Sequence, residues 1–376
     1  YSTVGVEGTS IGSITNQAGE FRLHLADSLR RKSLVFSHVG YMAQKIDIPL
    51  LTAGQHFTLT LEPRIFPLQE VVIRVVHPIR LMREMLEKRM INYSQKPVYF
   101  TTFYREGVQY KQKFRSLTEA VFKIYKSPVQ SLYAREQVKL LKMSRITDGL
   151  EQDTLIARMS GGIDACLQLD IINHLPDFLL ADAHKDVYAY TSADVTIVGD
   201  HLVNVISFEQ KKEVKEPLYC GELYIDSDNG ALLQAQIRIH PRYMKQATDM
   251  VVQRQARRMK IVLQELTYTI SYKPWNGTYY INHVRGDLHF KVKQKRQWLG
   301  SSSLHTWFEM VTCKIDTVGV TRFQRNERIP TRTVFADTHF KYDSDFWENF
   351  NVIPWEKQLV EVIEQLTSKI EKIEYE

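Results

Sequence analysis

"KIVLQELTYTISYKPWNGTYYINHVRGDLHFKV", residues 260–292, decides how the second half of this chain is read. Polar and apolar side chains alternate on both sides of Trp275-Asn276-Gly277-Thr278. Asn-Gly is the pair that a two-residue hairpin turn selects, because both central positions need positive φ. The stretch predicts two long antiparallel strands. Outward from it, "LYCGELYIDSDNGALLQAQIRI" (218–239) repeats the pattern around Ser227-Asp228-Asn229-Gly230, which predicts a second two-residue hairpin. "DVTIVGDHLVNVISFEQ" (194–210) precedes it and "HTWFEMVTCKIDTVGV" (305–320) follows. A meander of such strands must curl, and closing partly around an apolar interior is the natural outcome.

Upstream, "VYFTTFYREGVQY" (98–110) and "LTEAVFKIYKSPV" (117–129) read as neighbouring strands, with Phe100, Thr102 and Tyr104 on one face and Thr101, Phe103 and Arg105 on the other. An inward Arg105 would pair with a carboxylate such as Glu119 of the next strand, a structural ion pair. Residues 161–186 break the strand rhythm with a helical pattern interrupted at Pro176, and read as a helical insertion. Pro78 opens a helix with Ile79, Met82, Leu86 and Met90 on one face, since proline suits the first helical turn. Pro354 opens another, whose stripe of Leu359, Ile363, Leu366, Ile370 and Ile373 should dock rather than span a membrane.

The first seventy residues differ. Short strands (Thr3–Val6, Ser13–Thr15, Phe21–Leu25, Ser33–Ser37, Gln44–Ile48, Phe57–Leu61) are separated by Gly and Asn turns, and Val71–Val76 close the module as an apolar run. The expected fold class is mostly β with helices (α+β). It comprises a Greek-key β-sandwich over 1–74, a linker helix over 75–95, and an antiparallel curled sheet or half-barrel with packed helices over 96–376.

Three motifs carry a resemblance: "GTSIGSITNQAGEFRL" (8–23), "LVFSHVGY" (34–41) and "LTLEPRIFPLQEVVI" (59–73). Together they resemble the carboxypeptidase regulatory-like domain, a transthyretin-like β-sandwich at the N-terminus of Gram-negative envelope proteins. The resemblance implies a preceding strand and an export signal outside this sequence, and a periplasmic or outer-membrane-associated address. The hairpin stretches "GELYIDSDNGALLQAQI" (221–237) and "YKPWNGTYYINHV" (272–284) are similar to the half-barrels of LolA/LolB-type lipoprotein carriers, which implies lipid binding in the larger domain, with residues 163–180 or the C-terminal helix as the plug of its concave side.

Charge and reactive residues narrow the function classes. The formal net charge is +6, with basic clusters at Arg30-Arg31-Lys32, Arg254 to Lys260 and Lys291 to Arg296. These lie in strand patterns without the aromatic and glycine signature of a nucleic-acid module, so a solvated basic face is expected and no nucleic acid. An anionic membrane surface is the other partner class that such a balance allows. No apolar run reaches the ~18 residues of a membrane span, so no transmembrane segment is expected.

Cys166, Cys220 and Cys313 contain no CxxC, and one disulfide with a free thiol or three unpaired thiols both fit the count. The dispersed histidines contain no HExxH; His283 and His289 share a strand face but make no ligand set. Cys166 with His174 reads as a buried thiol near a surface histidine. "DSDNG" (226–230) lacks the Glu of a calcium loop, having Ile237 at the twelfth position. No catalytic residue, no metal site and no cofactor is therefore expected. The functional reading is a non-catalytic envelope protein that binds a lipid or other apolar ligand or assembles with an outer-membrane protein. The alternatives are a purely structural interaction module working through sheet edges, and a hydrolase whose site is assembled from dispersed acids such as Asp226 and Glu265.

Overall fold

The computed structural model describes residues 1–51, 56–64, 77–129, 136–147, 157–159, 162–180, 183–255, 259–294, 300–331, 350–356 and 359–360. Strands β1 (Thr3–Val6), β2 (Gly12–Ile14), β3 (Ser33–Ser37) and β4 (Gln44–Asp47) form a four-stranded antiparallel sheet in the order β2-β1-β3-β4. Its apolar side gathers Val4, Val6, Leu34 and Phe36. Phe21, Leu23, Leu25, Phe57, Leu59 and Leu61 pack on that cluster in strict alternation, but their backbones make no ladder among the described residues. Alternation places a side chain; a strand also needs a neighbour for its peptide groups. The closing run 71–76 lies outside the described residues, as do Ile363 to Ile373 of the C-terminal stripe.

Helix α1 (Pro78–Glu87) and the short α2 (Arg89–Asn92) lead into the larger domain. Leu81, Met82 and Met85 are the buried positions of α1, with Leu86 and Met90 partly buried against the same core. The apolar face is thus rotated from the Ile79–Met90 stripe, because Leu81 and Met85 face the sheet while Ile79 stays at the margin.

The remaining strands are β5 (Val98–Tyr110), β6 (Lys113–Lys126), β7 (Gln137–Thr147), β8 (Ala157–Met159), β9 (Tyr188–Val198), β10 (His201–Gln210), β11 (Tyr219–Asp226), β12 (Leu232–Ile239), β13 (Val252–Gln255), β14 (Met259–Trp275), β15 (Thr278–Gln294) and β16 (Ser302–Asp316). Apart from the small β13-β8 pair, they build one ten-stranded antiparallel sheet in the order β7-β6-β5-β16-β15-β14-β12-β11-β10-β9. Register shifts interrupt many of its ladders, for example at Val121/Phe122, Val205/Ile206, Leu263/Glu265 and Thr312/Lys314. Each extra residue bends its strand and adds twist, so the sheet curls.

The turn at Asn276 (φ 49°) and Gly277 (φ 74°) is the two-residue hairpin that Asn-Gly demands. The second hairpin differs from expectation. The Asp226 amide pairs with Ala231, leaving a four-residue loop whose shape is set by the Asp226 carboxylate accepting the amides of Asp228 (2.8 Å) and Asn229 (3.4 Å). The aspartate's side chain outcompetes the tight turn for those donors.

The two faces of the large sheet have separate coverings. The concave face carries Phe100, Tyr104, Phe122, Leu223, Ile237, Leu263, Ile270 and Phe290, all buried. Against it pack α1 and the segment 162–180, which opens with helix α3 (Gly162–Gln168). The convex face carries Phe103, Val121 and Val311, over which lie Ile14 of β2 and Val352 and Ile353. The Ser10 hydroxyl donates to the Ile315 carbonyl at 2.9 Å and accepts its amide at 3.0 Å, seating the small sheet on β16. Among the described residues no helix is long and apolar enough to cross a membrane.

Candidate functional site

The concave face and its plug are the first candidate. Residues 162–180 insert Ile163, Cys166, Leu167, Ile171, Ile172, Phe178 and Leu179, each at most 4% exposed. Phe178 stacks on Phe208 with centroids 4.3 Å apart. Of the two candidate plugs, 163–180 packs on the concave face, and the C-terminal helix beyond Val360 lies outside the described residues.

An ionic clamp holds it. Lys126, at the end of β6 and 5% exposed, lies 2.8 Å from Glu136 and 2.8 Å from Asp170. Tyr272 donates to the other Asp170 oxygen at 2.9 Å, and His174 approaches Glu136 at 3.1 Å. Burial opposes the charge on Lys126, yet Asp170 and Glu136 outweigh it and raise the ammonium above its ordinary pKa. Burial likewise pushes Glu136 up, but Lys126 and His174 prevail and hold it far below the usual carboxylate range. Near α3, Glu106 accepts from the Tyr104 hydroxyl at 2.7 Å, and burial raises its carboxyl.

The convex face holds the second polar cluster. The register places Glu119 opposite Arg105, Arg105 opposite Glu309 and Glu309 opposite Arg285, an alternating charge ladder across β6, β5, β16 and β15. Arg105 contacts Glu119 at 2.7 Å and Glu309 at 3.5 Å, and donates to the carbonyls of Ile353 and Pro354. Trp355 donates to Glu119 at 2.8 Å. Arg285 reaches Glu309 at 3.3 Å and forks onto Asp287 at 2.6 and 2.9 Å. Burial pushes Glu309 up, but His283 and the two arginines more than offset this and lower it. Asp287, also desolvated, is held down to about 2 by His305 and Arg285.

The Arg105–Glu119 pair is thus where the sequence put it. Glu309, Arg285 and Asp287 were not foreseen, although a lone acid inside the apolar run "WFEMV" (307–311) is the signal that could have found Glu309.

Other singled-out residues are not brought together. His283 is buried beside Glu309, at 3.9 Å, whereas His289, six residues on, stacks on His305 at 4.1 Å. Cys166 is sealed in the core, where burial drives its thiol well up, and His174 faces Glu136 instead. Asp226 is buried at the hairpin end, 2.7 Å from His201. Glu265 is exposed beyond the Arg238–Thr267 pair at the other end of β12, roughly 20 Å or more away by strand rise. Cys166, Cys220 and Cys313 are all unbonded. Among the described residues no group of three or more His, Cys, Asp or Glu could hold a metal ion.

No protein-family model matches the sequence, and no curated protein does. Solved structures similar to the chain include a domain assigned to outer membrane lipoprotein sorting from Vibrio parahaemolyticus (10% identity, TM-score 0.27), covering 65% of this chain and 94% of that one. A DUF1329 family protein from Desulfovibrio piger has 11% identity and TM-score 0.28, covering 65% and 96%. A LolA superfamily protein from Nitrosomonas europaea has 9% identity and TM-score 0.23, covering 65% and 96%. At such identities and TM-scores the likeness carries no functional weight, and the reading below rests on the residues.

Proposed function

We propose that this chain is a non-catalytic binding protein of the Gram-negative envelope whose ligand, a lipid or similarly apolar molecule, occupies the concave face where 162–180 now lies. The carrying observation is the mismatch between the plug's seat and its fastening. Beside α1, the apolar face of the curled sheet is covered by 162–180, one short helix and irregular chain, clamped through a buried ionic cluster at Lys126, Glu136 and Asp170. Buried ion pairs contribute little net stability, and their best-attested use is to specify or switch an arrangement. The small sheet, read as the carboxypeptidase regulatory-like sandwich, would be an attached docking module, and the periplasm or outer-membrane surface is the setting of this reading.

Assembly through a sheet edge is the weaker reading. The outer edge of β9 is interrupted by the irregularity around Ala193, carries exposed Asp194, and gives its Ile197 carbonyl to the Gly40 amide. Val138 of the opposite edge strand, β7, pairs with Ile329. Bulges, charges and covering segments are how proteins blunt edges against strand addition.

The test is native mass spectrometry of the chain, expressed with an export signal and purified without detergent, beside a Lys126→Met variant. Excess mass that extracts into organic solvent, or uptake of an apolar dye that rises in the variant, supports the reading. No excess mass, and no saturable dye uptake by either protein, overturns it.

A further inference from the structure

A groove of about 340 Å³ opens on the large sheet beside the first half of β14, lined by Lys245, Lys260, Val262, Gln264, Lys291 and Lys293. Its volume falls in the range of small-ligand sites. The lysines come from three segments. Lys260 and Val262 lie on β14, Lys291 and Lys293 on β15, and Lys245 on the connection after β12. That connection follows the strand, since the Thr248 hydroxyl accepts the Leu263 amide at 3.0 Å.

Register makes the concentration of charge acute. Lys260 stands directly opposite Lys293, and Val262 opposite Lys291. Like charges directly opposite one another on a sheet repel and destabilise it. On the other flank Lys291 faces Ser303, which neutralises nothing. Among the described residues none of the four lysines has a carboxylate within ion-pair distance. Glu265, the next acid on β14, stands opposite His289 instead.

The same strand shows the contrasting treatment. Arg285 of β15 meets both Glu309 and Asp287, so its charge is answered by the fold itself. Among the described residues nothing answers the charge of the lysine groove. The half-buried Val262 between them gives the groove an apolar floor on which methylene stems can lie while the ammonium groups converge on an anion.

The geometry points to this groove as a binding site for a headgroup-sized anion carrying two or more phosphate-type charges. The chemistry is shared by a free phosphorylated molecule and by the headgroup of an anionic phospholipid. The site lies on the face of β14 and β15 opposite the plug, and it stands whether or not the concave face takes a ligand.

The experiment uses the full chain with two probes. Pyrophosphate is titrated calorimetrically. Vesicles of phosphatidylcholine, with and without cardiolipin, whose headgroup carries two phosphates, are used in sedimentation. Lys260→Gln/Lys293→Gln is compared with Lys212→Gln/Lys215→Gln, which removes the same charge from exposed lysines elsewhere. Saturable binding is expected, weakened ~10- to 100-fold by the groove variant, the loss of hydrogen bonds to charged groups, and little changed by the control. Binding should also fall as salt is raised. Pyrophosphate binding without vesicle binding assigns the free molecule as source, and the reverse assigns the lipid. No binding of either probe, or equal loss in both double variants, overturns the site. Because the groove variant relieves a like-charge pair, its Tm should not fall, which separates lost binding from lost folding.

Discussion

The clamp and the ladder are both buried ionic clusters, yet they are built from different material. Every charge of the ladder stands on a strand, at a position the register fixes, so its geometry follows from the sheet. The clamp joins a strand end, Lys126, to Glu136, just ahead of β7, and to Asp170 and His174 in the plug. A charge cluster held by the sheet can loosen only with the sheet. One held by connections can release a segment and leave the sheet intact. The contrast ties the convex cluster to the register of the sheet and the concave one to the connections between its strands.

The strongest way to break this contrast is Arg105→Met. It leaves Glu119 buried without a cation and the carbonyls of Ile353 and Pro354 without their donor, Glu309 keeping Arg285, and should cost about 3–5 kcal/mol in urea unfolding as a single cooperative loss. Lys126→Met should cost less, about 2 kcal/mol, because Glu136 retains His174 and Asp170 retains Tyr272. Its diagnostic sign is local: faster hydrogen exchange in 162–180 with β5, β15 and β16 unchanged. Equal acceleration everywhere would erase the distinction.

Acid sharpens it further. Glu136, Asp287 and Glu309 have folded pKa values below their unfolded ones, so the stability they contribute is complete above about pH 4.5. It is lost as pH falls through the folded values, about 2 for Asp287. Tm should therefore fall between these limits, by the equivalent of about 1–2 kcal/mol. Glu106 runs the other way: its raised carboxyl contributes at low pH and loses that contribution as pH rises through the folded value. Glu106→Gln should remove the decline in stability that rising pH brings above about 4.5 and leave the acid fall below it unchanged.

The smallest effect has the opposite sign. Among the described residues Lys273 is held by carbonyls alone, those of Thr312 (3.0 Å) and Ser10 (3.4 Å), and burial lowers its pKa to about 8. The unfolded chain then binds more protons between pH 8 and 10.5, so stability should rise with pH across that window. Lys273→Met should flatten the rise and add about 1 kcal/mol at neutral pH, read by thermal unfolding.

What the sequence made legible was whatever a local period can carry. Alternation around Asn276-Gly277 fixed the long hairpin, and the strand faces of 98–104 came out as the alternation implies. The Arg105–Glu119 pair was legible because the two strands are adjacent in the chain. Glu309 was not, because β16 reaches β5 across almost the whole domain. The clamp was hidden for the same reason, its members being scattered over Lys126, Glu136, Asp170 and Tyr272. Phe21–Leu25 and Phe57–Leu61 alternate as strands do without pairing among the described residues, since alternation is blind to whether a neighbour exists.

The pairing of β5 with β16 also governs the order in which the molecule can fold. The two strands lie nearly two hundred residues apart, so the large sheet cannot close until almost the whole chain has emerged. Before that moment the β5–β6 hairpin already joins Arg105 to Glu119, and the β15–β16 hairpin joins Arg285 to Glu309. Each half reaches the seam as a self-neutralised unit, and Arg105 meets Glu309 only when they dock in register. A slip of one residue would turn Arg105 to the opposite face. The contact between Arg105 and Glu309 thus forms only when the two halves meet in the native register.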